Sequence, residues 1–261
     1  MTGFDVVVAG GGNAALCAAI EARRAGASVL LLERTSREWR GGNSKYTRNV
    51  RCVRDGGYSE EEFLADLVDV SGEELDRGLA RLAIERSRDL PGWIEAQGVR
   101  WQPAFRGTLQ LARTNRFFLG GGKALVNTYY QTARRLGVEA RYGCEVLELL
   151  WRGARCEGVA VQAPDGRHTV PARAVVVASG GFEANLAWLE QQWGEAARGF
   201  RVRGSRWNDG RLLGHLLDAG ARPCGSPREL HAIAVDARSP LFDGGIATRV
   251  DSVPFGIAVN R

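Results

Sequence analysis

One stretch near the start of the chain constrains the fold more than any other. A short apolar run, Phe4–Ala9, passes into three glycines and then into a helical pattern that begins at Asn13. In such a motif Gly10 permits the tight turn, Gly12 lets backbone approach a pyrophosphate, and Ala15 lets the helix pack closely on a sheet. Phosphates would lie at the helix N-terminus, where free N–H groups and the helix dipole favour an anion. The pattern therefore predicts a nucleotide-binding βαβ unit.

The acid that follows this motif narrows the choice of nucleotide. The next apolar run, Ser28–Glu33, ends on a carboxylate roughly 20 residues after the glycines, where a ribose-binding acid is expected. A carboxylate accepts hydrogen bonds from both ribose hydroxyls and repels a 2′-phosphate. The sequence thus predicts FAD or NAD and argues against NADP.

Later segments favour FAD over NAD. A glycine-rich loop at 40–44 can wrap a cofactor that extends along the sheet, although a plain surface loop is the alternative interpretation. A third buried strand, Ala174–Ala178, runs into a further pair of glycines at 180–181. A helical excursion over 60–98 and a hairpin before the third strand are also more typical of a flavoprotein.

We therefore predict an α/β Rossmann-type FAD-binding domain with three layers, followed by the beginning of an inserted α+β capping domain. The first domain covers residues 1–225, with a helical excursion at about 60–118 and a hairpin at 145–163. The second starts at 226 and continues to 261. Pro91 is expected to break the helical run, and further helices are expected from about 123 to 136 and over 209–220.

Composition excludes several other classes of function. The net charge of +5 suits anionic ligands, but the absence of a basic block argues against nucleic acid. Five scattered cysteines make neither a disulfide framework nor a zinc site, and no metal is expected. No apolar run is long enough to span a membrane, and no signal peptide is evident, so we expect a cytoplasmic protein.

Several longer stretches resemble one flavoprotein family, that of fumarate reductase and succinate dehydrogenase. Within it, the chain is most similar to FAD-dependent tricarballylate dehydrogenases, and it also resembles the flavoprotein half of a precorrin-3B synthase from cobalamin biosynthesis. The stretches that carry the resemblance are 40–49 (RGGNSKYTRN), 117–125 (FFLGGGKAL), 208–210 (NDG), 231–238 (HAIAVDAR) and 242–245 (FDGG).

The resemblance implies roles along the whole cofactor. Gly12, Asn13 and Ala14 would meet the pyrophosphate, Glu33 the ribose, and the backbone of Val146 the adenine. The residues expected to contact FAD, from the motif and the resemblance together, are Gly10, Gly12, Asn13, Ala14, Ala15, Glu33, Arg34, Gly41, Gly42, Asn43, Ser44, Thr47, Val146, Ala178, Ser179, Gly180 and Asp209.

The resemblance also implies a reaction: hydride transfer from a carbon beside a carboxylate to flavin N5, here oxidation of tricarballylate to cis-aconitate. Electrons would pass to a membrane-linked iron–sulfur partner. His231 and Arg238 are the catalytic candidates, and Arg249 and Arg48 are further candidates for binding the polycarboxylate. Family members continue past the position of Arg261. We therefore expect the main catalytic arginine in the segment beyond that position.

Three alternatives stay open at this point. One is oxidoreduction of a precorrin. Another is a cofactor-binding or electron-transfer module that is inactive by itself. The third is an NAD-binding protein, which a bound yellow chromophore would exclude.

Overall fold

The computed structural model of the protein describes residues 3–103, 113–228, 233–245 and 250. The strands are β1 (Phe4–Ala9), β2 (Val29–Glu33), β3 (Asn49–Arg51), β4 (Asn115–Phe117), β5 (Glu139–Tyr142), β6 (Glu145–Arg152), β7 (Arg155–Ala163) and β8 (Gly166–Val177). The α-helices are α1 (Asn13–Arg24), α2 (Glu60–Ser71), α3 (Arg77–Ser87), α4 (Leu90–Ala96), α5 (Gly121–Arg135), α6 (Leu186–Trp193) and α7 (Arg211–Asp218). Short 3-10 helices cover Gly42–Tyr46, Gly72–Glu74 and Glu195–Gly199.

The main sheet has the strand order β5-β2-β1-β8-β7-β6. The first four of these strands are parallel neighbours, whereas β6, β7 and the first half of β8 pair in antiparallel fashion. Strand β8 is long enough to join both parts, since Gly166–Pro171 pairs with β7 and Ala172–Val177 pairs with β1. This confirms the predicted α/β fold with its hairpin before the last central strand.

The two faces of the parallel strands are buried by different partners. On one face, Val8 and Leu31 pack with the small and apolar residues of α1 and with Tyr129 of α5. On the other face, Val7 and Leu30 pack against the antiparallel strands. Because successive strand residues point to opposite faces, Val7 and Val8 belong to separate cores. The helices, the parallel sheet and the antiparallel meander make the three predicted layers.

The βαβ unit lies where the sequence placed it, and β1 and α1 have the predicted bounds. The helical run is interrupted just before Pro91, close to the predicted break: α3 ends at Ser87 and α4 begins at Leu90. Pro91 itself occupies the first turn of α4, where a missing N–H costs nothing. A further interruption lies at Gly72. Strand β5 and helix α6 were not predicted from the sequence.

The region from 226 onward contains few regular elements in the part that is described. Segment 239–245 is held against 201–206 by backbone hydrogen bonds, including Val202 N to Leu241 O (2.8 Å) and Asp243 N to Gly204 O (2.8 Å). The domain boundary at 225 stays a prediction. Among the described residues, no helix is both long and apolar enough to cross a membrane.

Candidate functional site

A cleft of about 280 Å³ opens at the carboxyl ends of β1, β2 and β8, beside the N-terminus of α1. Ligands of doubly wound sheets bind at this edge, because the loops that leave the strands diverge there. The structure brings most of the predicted cofactor residues into its lining. They are Gly10, Gly12, Asn13, Ala14, Glu33, Arg34, Gly41, Gly42, Asn43, Ser44, Val146, Ala178, Ser179, Gly180 and Asp209.

Two predicted contact residues lie elsewhere. Ala15 is fully buried in the core between α1 and the sheet, so it serves close packing and does not line the cleft. The Thr47 carbonyl accepts a hydrogen bond from Gly122 N (2.7 Å), and its hydroxyl donates to Asn49 O (3.2 Å). Thr47 therefore ties the second loop to the start of α5, behind the cleft.

The glycine turn after β1 has no room for side chains. Gly10 has φ +120°, and a Cβ there would collide with the carbonyl of Ala178. A Cβ on Gly11 would collide with the Tyr130 hydroxyl and the Glu33 carboxylate. Tyr130 is buried, and its hydroxyl donates to Gly11 O (3.1 Å). Sequence reasoning missed both Gly11 and Tyr130, because the partner of the turn comes from a distant helix.

Glu33 has a buried carboxylate, with only 4% of the residue exposed. Its Oε1 accepts from Thr35 N (2.9 Å) and Thr35 Oγ1 (3.0 Å), whereas Oε2 receives only a long contact from Gly41 N (3.4 Å). A buried carboxylate needs its lone pairs satisfied. Oε2 is therefore the oxygen with capacity left for a ligand hydroxyl, as a ribose acid requires.

The second glycine loop is locked to the rest of the cleft by its polar side chains. Ser44 Oγ accepts from Asn13 N (2.9 Å), which joins the loop to the first turn of α1. Asn43 Oδ1 accepts from Ser205 N (2.6 Å). On the opposite wall, a Cβ on Gly180 would lie within 3.0 Å of the Asn208 amide, so backbone and amide are in close contact. The loop is thus a wall of the cleft and not a plain surface loop.

Arg34 closes the far end of the cleft through ion pairs. Its guanidinium contacts Glu145 Oε1 (2.8 Å) and Asp209 Oδ2 (3.0 Å), and it also donates to Trp207 O (2.8 Å). An arginine after the ribose acid could otherwise serve a 2′-phosphate. Here two carboxylates already neutralise its charge, which agrees with a ligand that lacks that phosphate.

Lys45 and Tyr46 lie beside the second loop. Burial lowers the pKa of Lys45, whose ammonium donates to Trp39 O (3.0 Å). Burial and the hydrogen bond from Tyr46 OH to Asp243 Oδ1 (2.8 Å) raise the pKa of Tyr46. Asp243 also accepts from Arg206 Nε (2.7 Å). Segment 239–245 is thereby attached to the 3-10 helix that carries Ser44.

The catalytic candidates are not assembled at the cleft. His231 and Arg249 lie outside the described residues. Arg238 is exposed and paired with its neighbour Asp236 through Nε (2.9 Å) and a terminal nitrogen (2.5 Å), so the structure does not bring it to the cleft. The Asp236 carboxylate, two residues away in the chain, is the partner that Arg238 binds instead of a ligand in the cleft. Arg48 belongs to the same face as Thr47, where its carbonyl accepts from Phe118 N (2.9 Å).

Cys17 and His168, two titratable groups of the described residues, lie outside the lining of the cleft. Burial raises the pKa of the Cys17 thiol to about 11, so it stays protonated at neutral pH. His168 is exposed and bound to Asp165 (2.9 Å). Across the described part of the chain, no group of three or more metal-ligating side chains comes together.

Comparison with known proteins identifies the family of the chain. A model described as "FAD binding domain" matches residues 5–235, which is most of the chain. The chain belongs to the flavoprotein family of fumarate reductase and succinate dehydrogenase. Its cofactor is FAD. The narrower resemblances, to tricarballylate dehydrogenase and to precorrin-3B synthase, are not shown by these matches.

Several relatives of the chain are named as oxidoreductases. Vinyl phenol reductase from Lactiplantibacillus plantarum is 30% identical over 72% of this chain and 40% of that protein. NADH:fumarate oxidoreductase from Klebsiella pneumoniae is 29% identical over 71% of this chain and 21% of that protein. Fumarate reductase (cytochrome) from Shewanella frigidimarina is 27% identical over 98% of this chain and 46% of that protein. The chain spans less than half the length of these relatives.

Solved structures share the fold. A 3-ketosteroid-Δ4-(5α)-dehydrogenase from Rhodococcus jostii RHA1 superposes with a TM-score of 0.73 and 27% identity, over 84% of this chain and 54% of that one. A flavocytochrome c3 fumarate reductase gives a TM-score of 0.74 at 22% identity, over 82% of this chain and 40% of that one.

The residues present in the cleft suit FAD on physical grounds. The glycine turn and the N-terminus of α1 line the cleft, where the helix dipole favours a pyrophosphate. Glu33 has an oxygen for the ribose, and the cleft extends from there to Val146 and Asp209. A Cβ on Gly10, Gly11 or Gly180 would collide with neighbouring atoms of the cleft.

Proposed function

We propose that the protein is an FAD-dependent oxidoreductase that dehydrogenates a small polycarboxylate, with tricarballylate to cis-aconitate as the reaction. The observation that carries the FAD-dependent part is the cleft that joins the glycine turn, Glu33 and the second glycine loop in one continuous lining. The substrate class is supported by the names of two relatives, NADH:fumarate oxidoreductase and fumarate reductase, since fumarate is itself a dicarboxylate.

The chain's own residues bind and orient the cofactor. The N-terminus of α1 and the backbone at Gly10–Gly12 hold the pyrophosphate, and Glu33 holds the adenosine ribose. Asn43 and Ser44, which line the same cleft, would contact the cofactor from the second loop. FAD, when bound, supplies the hydride acceptor for a carbon adjacent to a carboxylate.

The substrate requires cationic donors and a base for the proton on the neighbouring carbon. His231 and Arg249 remain the candidates from the sequence, and Arg238 would have to exchange Asp236 for a substrate carboxylate. An electron-transfer partner, either an iron–sulfur protein or a cytochrome, would reoxidise the cofactor.

The test is anaerobic reduction of the protein-bound flavin. The full-length protein is loaded with FAD and mixed with tricarballylate, and the visible flavin absorbance is followed while the products are separated. We expect bleaching of the absorbance and one cis-aconitate per flavin reduced. Succinate, a ketosteroid and a hydrogenated vinyl phenol are the comparison substrates. Bleaching by one of these and none by tricarballylate would overturn the substrate assignment.

A second function is favoured by the length of the chain relative to its relatives. Because the chain matches less than half of each of the fumarate-linked relatives, the 261 residues by themselves would act as an FAD-binding or electron-transfer module. The same assay on the 261-residue chain separates the two proposals. Turnover of tricarballylate with an artificial electron acceptor, above a sample without protein, would reject the module.

A further inference from the structure

The far end of the cleft has a particular composition. Pyrophosphate binding at Gly10–Gly12 and ribose binding at Glu33 place the adenine beyond Glu33, at the end lined by Arg34, Val146 and Trp207. Nothing in the motif assigns a role to Trp207, which precedes the Asn-Asp-Gly turn.

Trp207 presents a large apolar surface inside a binding cleft. It lines the cleft and is 39% exposed, although large aromatic side chains are mostly buried in folded proteins. Its backbone is fixed, because Trp207 N donates to Ser205 Oγ (3.3 Å) and Trp207 O accepts from Arg34. An exposed ring on a fixed backbone is suited to stack on a flat ligand.

Arg34 holds the ring as well as the backbone of Trp207. The guanidinium carbon lies 5.5 Å from the ring centroid, within the range of a cation–π contact. Arg34 cannot move away freely, because Glu145 and Asp209 bind it from two other segments. The ring is therefore positioned before any ligand arrives.

We propose that Trp207 stacks on the adenine of FAD, and that Arg34 is the positioning residue that holds the indole for this contact. The pair makes the far end of the cleft selective for a nucleotide that carries an adenine. It follows that part of the preference for FAD over FMN, which lacks the adenosine, arises at Trp207. The inference rests on FAD binding and is independent of the substrate proposed above.

The test compares ligands with and without the adenosine. The full protein, freed of flavin, is titrated with FAD, ADP and FMN in the wild type and in Trp207→Ala and Trp207→Phe. Stacking of one base on an aromatic ring predicts a dissociation constant for FAD about 5- to 150-fold higher in Trp207→Ala. ADP should weaken by the same factor and FMN should not change. Trp207→Phe should recover most of the loss.

The matched control is Trp193→Ala, since Trp193 is a similarly exposed tryptophan on α6 that does not line the cleft. It should leave all three dissociation constants unchanged, and circular dichroism should show a folded protein for every variant. Unchanged binding of FAD and ADP by Trp207→Ala would overturn the proposal. Equal weakening of FMN and ADP would also overturn it, because Trp207 would then support the cleft as a whole.

Discussion

The cofactor cleft and segment 233–245 are held in place by different kinds of interaction. The cleft is built from strand ends, a helix N-terminus and glycines that leave no room for a side chain, as at Gly10, which lies against the Ala178 carbonyl. Segment 233–245 contains few regular elements and depends on side chains such as Asp243 and on scattered backbone hydrogen bonds. A site made by backbone tolerates few substitutions, whereas a segment held by side chains can be released without loss of the cleft.

The largest effect is expected at Gly10. In Gly10→Ala, the left-handed backbone and the collision with the Ala178 carbonyl should cost roughly 2–4 kcal/mol of unfolding free energy and abolish FAD binding. Chemical denaturation and FAD titration measure the two effects. The control is Gly92→Ala in α4, where no described atom lies within 4 Å of the new methyl group. A Gly10→Ala protein as stable as this control would contradict the backbone account.

A smaller effect is expected at Glu33. Glu33→Gln keeps an oxygen for Thr35 but loses the charge that binds the ribose hydroxyls, so the dissociation constant for FAD should rise about 10- to 150-fold. Glu38→Gln, an exposed neighbour on the same loop, should bind like the wild type. If both variants bind FAD equally well, Glu33 does not hold the ribose.

Tyr130 tests whether the glycine turn needs support from α5. Tyr130→Phe removes the hydrogen bond to Gly11 O and keeps the ring, which should cost about 1 kcal/mol and weaken FAD about three- to tenfold. Isothermal titration at a pH near 7 is sufficient, because burial raises the pKa of Tyr130 and the hydroxyl stays protonated. A wild-type affinity for Tyr130→Phe would show that the turn is positioned by its own contacts alone.

The smallest effect concerns Asp243 and separates the two regions. Burial by itself would raise the pKa of Asp243. Hydrogen bonds from Arg206 and Tyr46 outweigh burial and hold this pKa below its ordinary value of about 4. The pairing therefore contributes stability above that pH, and the contribution is lost as the pH falls through the lower folded pKa. The exchange rate of the amides of segment 239–245, divided by the intrinsic rate of the same amides at the same pH, should rise on acidification. At neutral pH, Asp243→Asn should show the same rise and bind FAD within about twofold of the wild type. A loss of FAD affinity as large as that of Glu33→Gln would mean that the two regions are one unit.

Much of the cofactor site could be predicted from local pattern. The turn of Gly10 and Gly12 and the acid at Glu33 depend on short-range rules of strand, turn and helix, so their positions follow from spacing. The same rules failed for strand β5, whose pairing with β2 is not visible in a short polar segment.

By itself, the amino-acid sequence determined the βαβ unit, the three-layer α/β class and the flavoprotein family of the chain, because these depend on periodicity and on motifs within a few residues. Only the tertiary structure decided that Tyr130 supports Gly11, that Arg34 is neutralised by Glu145 and Asp209, and that Trp207 lines the far end of the cleft. It also placed Arg238 on Asp236 and away from the cleft. Some of these contacts join residues more than a hundred positions apart in the chain, and packing and charge in three dimensions decide such partners.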